Sequence, residues 1–448
     1  MQAPFHRLKR TSQSGCAKGF PMILPPDHPA RTELNNEVHA RPPEALTAPC
    51  AISYLALITG EAAREKSWHE LCELAQRFGA APPENGQNHF SAVLGAFRVK
   101  WERHSEFIRY KFIVDAPEGE PFSAAAIEKV PQDWLQSLSG RVLVATNVFF
   151  ERGERALPDA DAISKNFFSG NPLVGATVAG GSGRAYTAFR IGSDGFGRVL
   201  VQNLALTPRQ AGRTVQRLME IDTYRMLSLL ALPAARALSP FLGSCERELV
   251  EITGSMAGAK AAEETALLER LMALEASIEA QKSNTQYRFS AAAAYYGLVQ
   301  RRIGELREQR IEGLQTLSEF MGRRLEPAMN TCAAAAGRLQ TLSSSVANAT
   351  RLLSTKADIA REQQNQAVLA SMNRRAKVQL RLQQTVEGLS LAAVTYYTAG
   401  LVAYVAKAAK AAGVHVDPDI AAGISIPFIA AMIAYGIHRV RKSVAARE

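Results

Sequence analysis

The sequence predicts an α+β N-terminal domain, then a long, mainly α, coiled-coil-like stalk, then a C-terminal two-helix transmembrane hairpin. Three observations carry this prediction. Apolar and polar residues alternate in paired runs before residue 206, apolar residues recur every three or four positions between 207 and 387, and two stretches near the C-terminus hold no charge. With 448 residues, 47% of them hydrophobic and 21% charged, the chain is too long for one small module and too apolar to be disordered. Its 52 Lys and Arg against 42 Asp and Glu leave a formal charge of +10, which favours an anionic surface. The partner expected is the lipid bilayer, with no nucleic acid.

Residues 1–26 read as a mobile arm. His6, Arg7, Lys9 and Arg10 imitate the basic start of a secretory signal, but the apolar stretch from Gly19 to Leu24 stops at Pro25. Such a signal needs roughly 7 to 15 apolar residues there, so no cleavage is expected.

Residues 27–206 read as a cytoplasmic α+β domain. Trp68, Leu71, Leu74 and Ala75 have helical spacing within 67–78. Phe97, Val99 and Trp101 alternate, a turn follows at 102–106, and Ile108, Tyr110, Phe112 and Val114 alternate again, which predicts a hairpin. Arg141 to Phe150 predicts a strand, and 185–191 with 199–204 a second hairpin around Gly192 to Gly197. Strands this close in sequence favour antiparallel pairing over a doubly wound parallel sheet.

Residues 207–387 read as the helical stalk, rich in Ala, Leu, Glu, Gln and Arg, with punctuation expected at Pro233, Pro240 and Pro327. Thr207 before Pro208 supplies an N-cap followed by proline at the first helical position. Two apolar seams, Leu267, Leu271, Leu274 and Ile278, then Leu339, Leu342, Val346, Ala349 and Leu353, suit helix pairing. The last stalk helix, 328–387, would be about 90 Å long at 1.5 Å per residue, so it needs a neighbouring helix or a second subunit to cover its apolar stripe. Self-association is therefore expected. Its polar run from Arg361 to Gln366 and its Gln379, Gln383 and Gln384 suit either interhelical hydrogen bonds or a solvated face.

Residues 388–437 form the predicted hairpin: spans at 388–406 and 420–437 around an outside loop at 407–419, followed by a basic tail at 438–448. Each span is just long enough for a hydrocarbon core about 30 Å thick, and the competing reading is a buried soluble hairpin. Arg374, Arg375, Lys377 and Arg381 precede the first span, and Arg439, Arg441, Lys442 and Arg447 follow the second, which places both termini in the cytoplasm. The residues expected to anchor at the membrane are Tyr396, Tyr397, Tyr404, Tyr435, Arg439 and Arg441, although the tyrosines could equally pack inside the bundle. Ala399 and Ala403, and Ala422, Ala430 and Ala434, permit close helix contact, and Pro427 predicts a kink.

Chemistry-bearing patterns are sparse. The five cysteines are odd in number and include no Cys-x-x-Cys pair, so reduced thiols are expected in place of a disulfide framework or a structural zinc site. Gly175, Gly180, Gly181 and Ser182 imitate a phosphate loop, but glycine stands where the phosphate-neutralising lysine belongs, so a glycine-rich bend between strands is the expectation. Glu37, His39 and Arg41 alternate and would face one way in an extended chain, as an anion-binding or proton-transferring cluster or as a structural clamp, with His28 nearby. No catalytic triad, metal cluster or cofactor motif is read, so neither an enzyme nor a cofactor is expected.

Several segments together resemble a known family: His28-Pro29, Leu34 to Pro42, Phe167 to Gly175, Asp194-Gly-Phe196, Glu220-Ile-Asp-Thr-Tyr-Arg-Met226 and Gln383 to Gly388. It is a bacterial family of predicted membrane-anchored proteins, the domain of unknown function thirty-four twenty-two. The resemblance runs from about residue 27 to 405. It implies a bacterial inner-membrane location and brings no activity, cofactor or catalytic residue. Two functions are therefore expected: a membrane-anchored scaffold, sensor or regulatory protein with an unknown protein partner, or an oligomeric ion transporter. The second has a layout like CorA-type magnesium channels, but it lacks their Gly-Met-Asn signature, and Lys407 and Lys410 stand in its place.

Overall fold

The computed structural model describes residues 26–32, 34–35, 43–117, 120–153, 159–259, 261–413 and 415–445. The chain forms two compact units, Met1–Cys245 with Ile278–Leu342, and Glu246–Ser277 with Ser343–Glu448.

The first unit is built on a nine-stranded sheet in the order β2-β3-β4-β1-β5-β8-β7-β6-β9. Its strands are β1 Cys50–Ile58, β2 His89–Leu94, β3 Phe97–Arg103, β4 Phe107–Asp115, β5 Arg141–Arg152, β6 Val174–Val178, β7 Gly183–Thr187, β8 Gly197–Asn203 and β9 Gln309–Arg310. The first expected hairpin is β3 with β4, in a register that sets Trp101 opposite Tyr110 and Val99 opposite Phe112. The second is β7 with β8, Thr187 opposite Val199. The expectation of antiparallel pairing fails at one place. β5 and β8 run parallel, Thr146 opposite Gly197, because the chain leaves the sheet after β5 and returns through β6 and β7 before adding β8. The glycine-rich bend is the turn between β6 and β7, where Gly180 and Gly181 have φ of +68° and +91°, a conformation that suits glycine best.

Alternation along the strands separates the two sheet faces. On one face Leu55, Leu57, Val99, Trp101, Tyr110 and Phe112 are buried with Leu71 and Leu74 of helix α1 (Glu61–Arg77) and Trp134 of α2 (Gln132–Ser137). Farther along the strands, Phe149, Tyr186 and Leu200 pack with Ile163 of α3 (Ala160–Phe167) and with Leu314. Burial of this many large apolar side chains, each contributing roughly 1.5–3 kcal/mol, is what holds the sheet together.

The opposite face carries helix α4 (Pro208–Leu229), which begins as predicted: Gln210 Oε1 accepts from both Thr207 N and Thr207 Oγ1, at 3.0 Å each. Then come α5 (Leu232–Met256), α6 (Ala261–Leu306), the short α7 (Leu317–Arg324), α8 (Glu326–Ala411) and α9 (Pro418–Ala445). Pro233 and Pro327 occupy the second positions of α5 and α8, where a missing N–H costs nothing, but Pro240 lies inside α5, which does not break there. The last stalk helix, expected over 328–387, runs instead from Glu326 without interruption to Ala411.

In the second unit, Arg270 reaches Glu251 at 3.2 Å, Lys356 reaches Glu264 at 2.7 Å, and Thr350 donates to Glu275 at 3.3 Å. All nine residues of the two apolar seams are buried. Beyond residue 357 the surroundings change: the next 29 residues of α8 are exposed without exception. Among the described residues three helical stretches are long and apolar enough to cross a membrane, Pro208–Met256, Leu317–Ala411 and Pro418–Arg439, judged by length and composition. The first is partly covered by the fold, since Leu227, Ala231, Ala235, Leu238 and Leu242 are buried.

Candidate functional site

Helix α4 lies on the polar face of the sheet and presents different chemistry on its two sides. Glu220, Gln216 and Thr223 point one way, and Asp222, Arg225 and Met226 the other, as a 3.6-residue period requires. Each side meets a distinct site.

Toward β1, β3 and β4 lies a buried charge layer. Lys100 and Lys111 stand directly opposite each other across β3 and β4, as do Glu102 and Arg109. These four and Glu220 are all buried, at 7% exposure or less. Arg109 binds Glu102 and, at 3.3 Å, Glu220; Arg302 of α6 reaches Glu220 at 2.5 Å, and Gln216 donates to it at 2.8 Å. Lys100 Nζ is 3.1 Å from Glu102, and the Tyr54 hydroxyl is 2.7 Å from Thr223 Oγ1. Burial pushes the Glu102 carboxyl up, yet Arg109, Lys100 and Lys111 outweigh it and hold the group down to about 2. Lys111 makes no ion pair among the described residues, and burial together with Lys100 pushes its ammonium down to about 8. The layer encloses a cavity of only about 10 Å³, so it is a fastening and not a substrate site.

Toward β5, β7 and β8 lies a pocket of about 50 Å³. Its position follows from the one parallel strand pair. β8 begins opposite Thr146, so residues 141–145 of β5 have β1 on one edge and no strand on the other. The pocket opens at that gap, where Leu143, Ile191, Leu218 and Met226 form apolar walls. Its floor is polar and fixed. Thr146 Oγ1 donates to Asp222 at 3.0 Å, and Asp222 holds Arg225 through two hydrogen bonds. Arg225 lies 5.2 Å beneath the Phe189 ring, which stacks on Phe320 with 4.9 Å between centroids. Phe189 takes φ +48°, a left-handed backbone unusual for an aromatic residue, and Thr187 Oγ1 accepts its N–H at 3.2 Å. Strained residues held this way cluster at functional sites, and an apolar pocket over a few fixed polar groups is the common form of a small-molecule site.

The residues expected from sequence fall elsewhere. Glu37, His39 and Arg41 lie outside the described residues, and His28 Nδ1 accepts from its own neighbour Ala30 N at 3.2 Å. Tyr396, Tyr397, Tyr404 and Tyr435 are all exposed, as is Arg439, and the Arg441 side chain lies outside the described set. Cys50, Cys245 and Cys332 are buried and Cys72 is half-buried, with no disulfide among them. Among the described residues no group of three metal-ligating side chains gathers. What sequence reading missed is the pocket. The segment Glu220 to Met226 stood out as a motif, but its division between two sites shows only once α4 is laid on the sheet.

Together these features define an α+β sheet unit carrying a small pocket, followed by long helices with an apolar C-terminal end. The chain belongs to the family described as protein of unknown function DUF3422, whose sequence profile matches residues 26–444. Neither a curated protein nor a solved structure matches it.

Proposed function

We propose that this protein is a membrane-anchored sensor, in which the sheet unit receives a small ligand in the Phe189 pocket and the stalk carries the consequence to a partner. The supporting observation is the apolar surface left bare at the C-terminal end. Leu389 is 71% exposed, Tyr396 76% and Phe428 73%, and Leu401, Ile424 and Met432 are exposed as well. A water-soluble protein rarely shows so large a contiguous apolar patch, whereas lipid tails would solvate it. In this reading 388–406 and 420–437 are two spans of a bacterial inner-membrane protein. The arginines before and after them keep both termini in the cytoplasm, and the tyrosines with Arg439 and Arg441 sit at the interfaces.

Self-association belongs to the same reading. Ile359, Leu369, Met372, Leu380 and Val386 lie exposed on the bare part of α8, and a second copy of that helix would cover them. Flotation of the full chain and of a chain ended at residue 387 through a density gradient with vesicles tests the anchor. The full chain is expected in the lipid fraction and the shortened one at the bottom; a full chain that stays in the aqueous fractions without detergent overturns the proposal.

One observation favours the transporter as a second reading. Helix α8 connects the sheet unit to the apolar segment in one uninterrupted piece of 86 residues, so a change in the sheet unit has a direct covalent path to the span. Against it stand Lys407 and Lys410 at the end of that span, which repel divalent cations. Magnesium flux into vesicles loaded with the purified chain decides between the two: flux supports transport, and tight vesicles with a bound dimer support the sensor.

A further inference from the structure

The Phe189 pocket has a charge balance that specifies its ligand. Arg190, Arg225 and Asp222 line it, and Arg198 borders it along β8 while its guanidinium lies on the opposite sheet face over Phe122. Two of the arginines are already engaged. Arg225 is held by Asp222 and covered by Phe189, and Arg198 donates to Phe167 O at 3.0 Å, pairs with Asp194 at 3.4 Å and lies over the Phe122 ring. Arg190 is exposed at the mouth and forms no ion pair or hydrogen bond among the described residues. The site therefore presents one uncommitted positive charge at its rim, apolar walls behind it, and a β5 edge at 141–145 without a neighbouring strand.

We propose that the pocket binds a small organic monoanion, a carboxylate on a compact apolar body. The carboxylate pairs with Arg190, and the apolar body sits between Leu143, Leu218 and Met226. This deepens the sensor reading and rests on it for its biological meaning, but binding is measured separately from membrane attachment. An Arg–carboxylate pair at a rim gives modest affinity alone; the apolar body, removed from water, supplies the rest. A larger or more highly charged ligand is disfavoured by the small volume and by Asp222, whose carboxylate repels a second negative charge.

The test uses the purified full chain in mild detergent and follows the ¹⁹F resonance of 4-fluorobenzoate, with 4-fluorobenzamide as a neutral control of the same shape. Line broadening is expected for the acid and at least about tenfold weaker binding for the amide, as is usual when a charged contact is lost. Arg190→Gln, an exposed change that leaves the core intact, should weaken the acid to the level of the amide, and Leu218→Trp should abolish binding of both. Equal binding of acid and amide overturns the proposal, as does broadening that survives both substitutions, or no broadening at any accessible concentration. If the probe binds but the chain fails to float with vesicles, the anchor falls and the ligand assignment stands. If the chain floats and the probe does not bind, the reverse holds.

Discussion

Lys111 illustrates what a single residue does in this fold. It is buried opposite Lys100, with its ammonium pushed down to about 8, whereas in the unfolded chain it titrates near the usual lysine value. Its folded pKa is depressed, so the native state disfavours the bound proton. The cost is present in full below about pH 8 and vanishes as pH rises through the unfolded value, so stability should rise between about pH 8 and 10.5. Denaturant melts across that range should show an increase on the order of 3 kcal/mol, and Lys111→Met should flatten the profile and raise stability at neutral pH. Glu220 behaves oppositely. It neutralises Arg109 and Arg302 together, so Glu220→Gln should cost about 3 kcal/mol, measured as a lower denaturation midpoint with an unchanged slope. Neither effect was legible in the sequence, where Lys100, Glu102, Arg109 and Lys111 look like the solvated side of an alternating hairpin. Only the placement of α4 and α6 over that side takes them out of water.

Among the elements, α4 decides the arrangement of both sites. Its N-terminus was legible, because Thr207, Pro208 and Gln210 form a start signal that needs no tertiary help. Its close approach to the chain at Glu44 was not. A Cβ placed on Gly212 would lie 1.6 Å from Glu44 O, and Leu46 N donates to Pro208 O at 3.0 Å, so the helix is seated directly on that segment. Gly212→Ala should therefore destabilise the protein by about 3 kcal/mol or more, although alanine is the better helix former. A lower thermal midpoint, with Gly254→Ala as the control at a glycine with open space around it, checks the expectation. The proline reading at this scale was right for Pro233 and Pro327 and wrong for Pro240, because a helix packed into a fold tolerates one missing hydrogen bond that an isolated helix would not.

At the scale of the whole molecule, the predictions concern membrane topology. With cysteine introduced for His415 and, separately, for Ser371 in a cysteine-free background, a membrane-impermeant maleimide should label position 415 from outside intact spheroplasts. Position 371 should be labelled only after lysis. The reverse pattern would invert the orientation, and equal labelling of both would remove the spans. The uncharged runs and arginine clusters behind these predictions are properties of composition and stand in the sequence itself. No change of backbone marks residue 387, since α8 runs through it to Ala411 and only its side chains change character.

The sequence by itself determined the hairpins, the start of α4, the apolar seams and the apolar C-terminal stretches, all of which follow from the period of side-chain polarity along a strand or helix. The tertiary structure alone decided that β8 lies parallel to β5, that a pocket opens where their pairing begins, and that one short motif serves a charge layer on one side and that pocket on the other. Those outcomes depend on which distant segments become neighbours, and contacts between distant segments leave no periodic trace in a single chain.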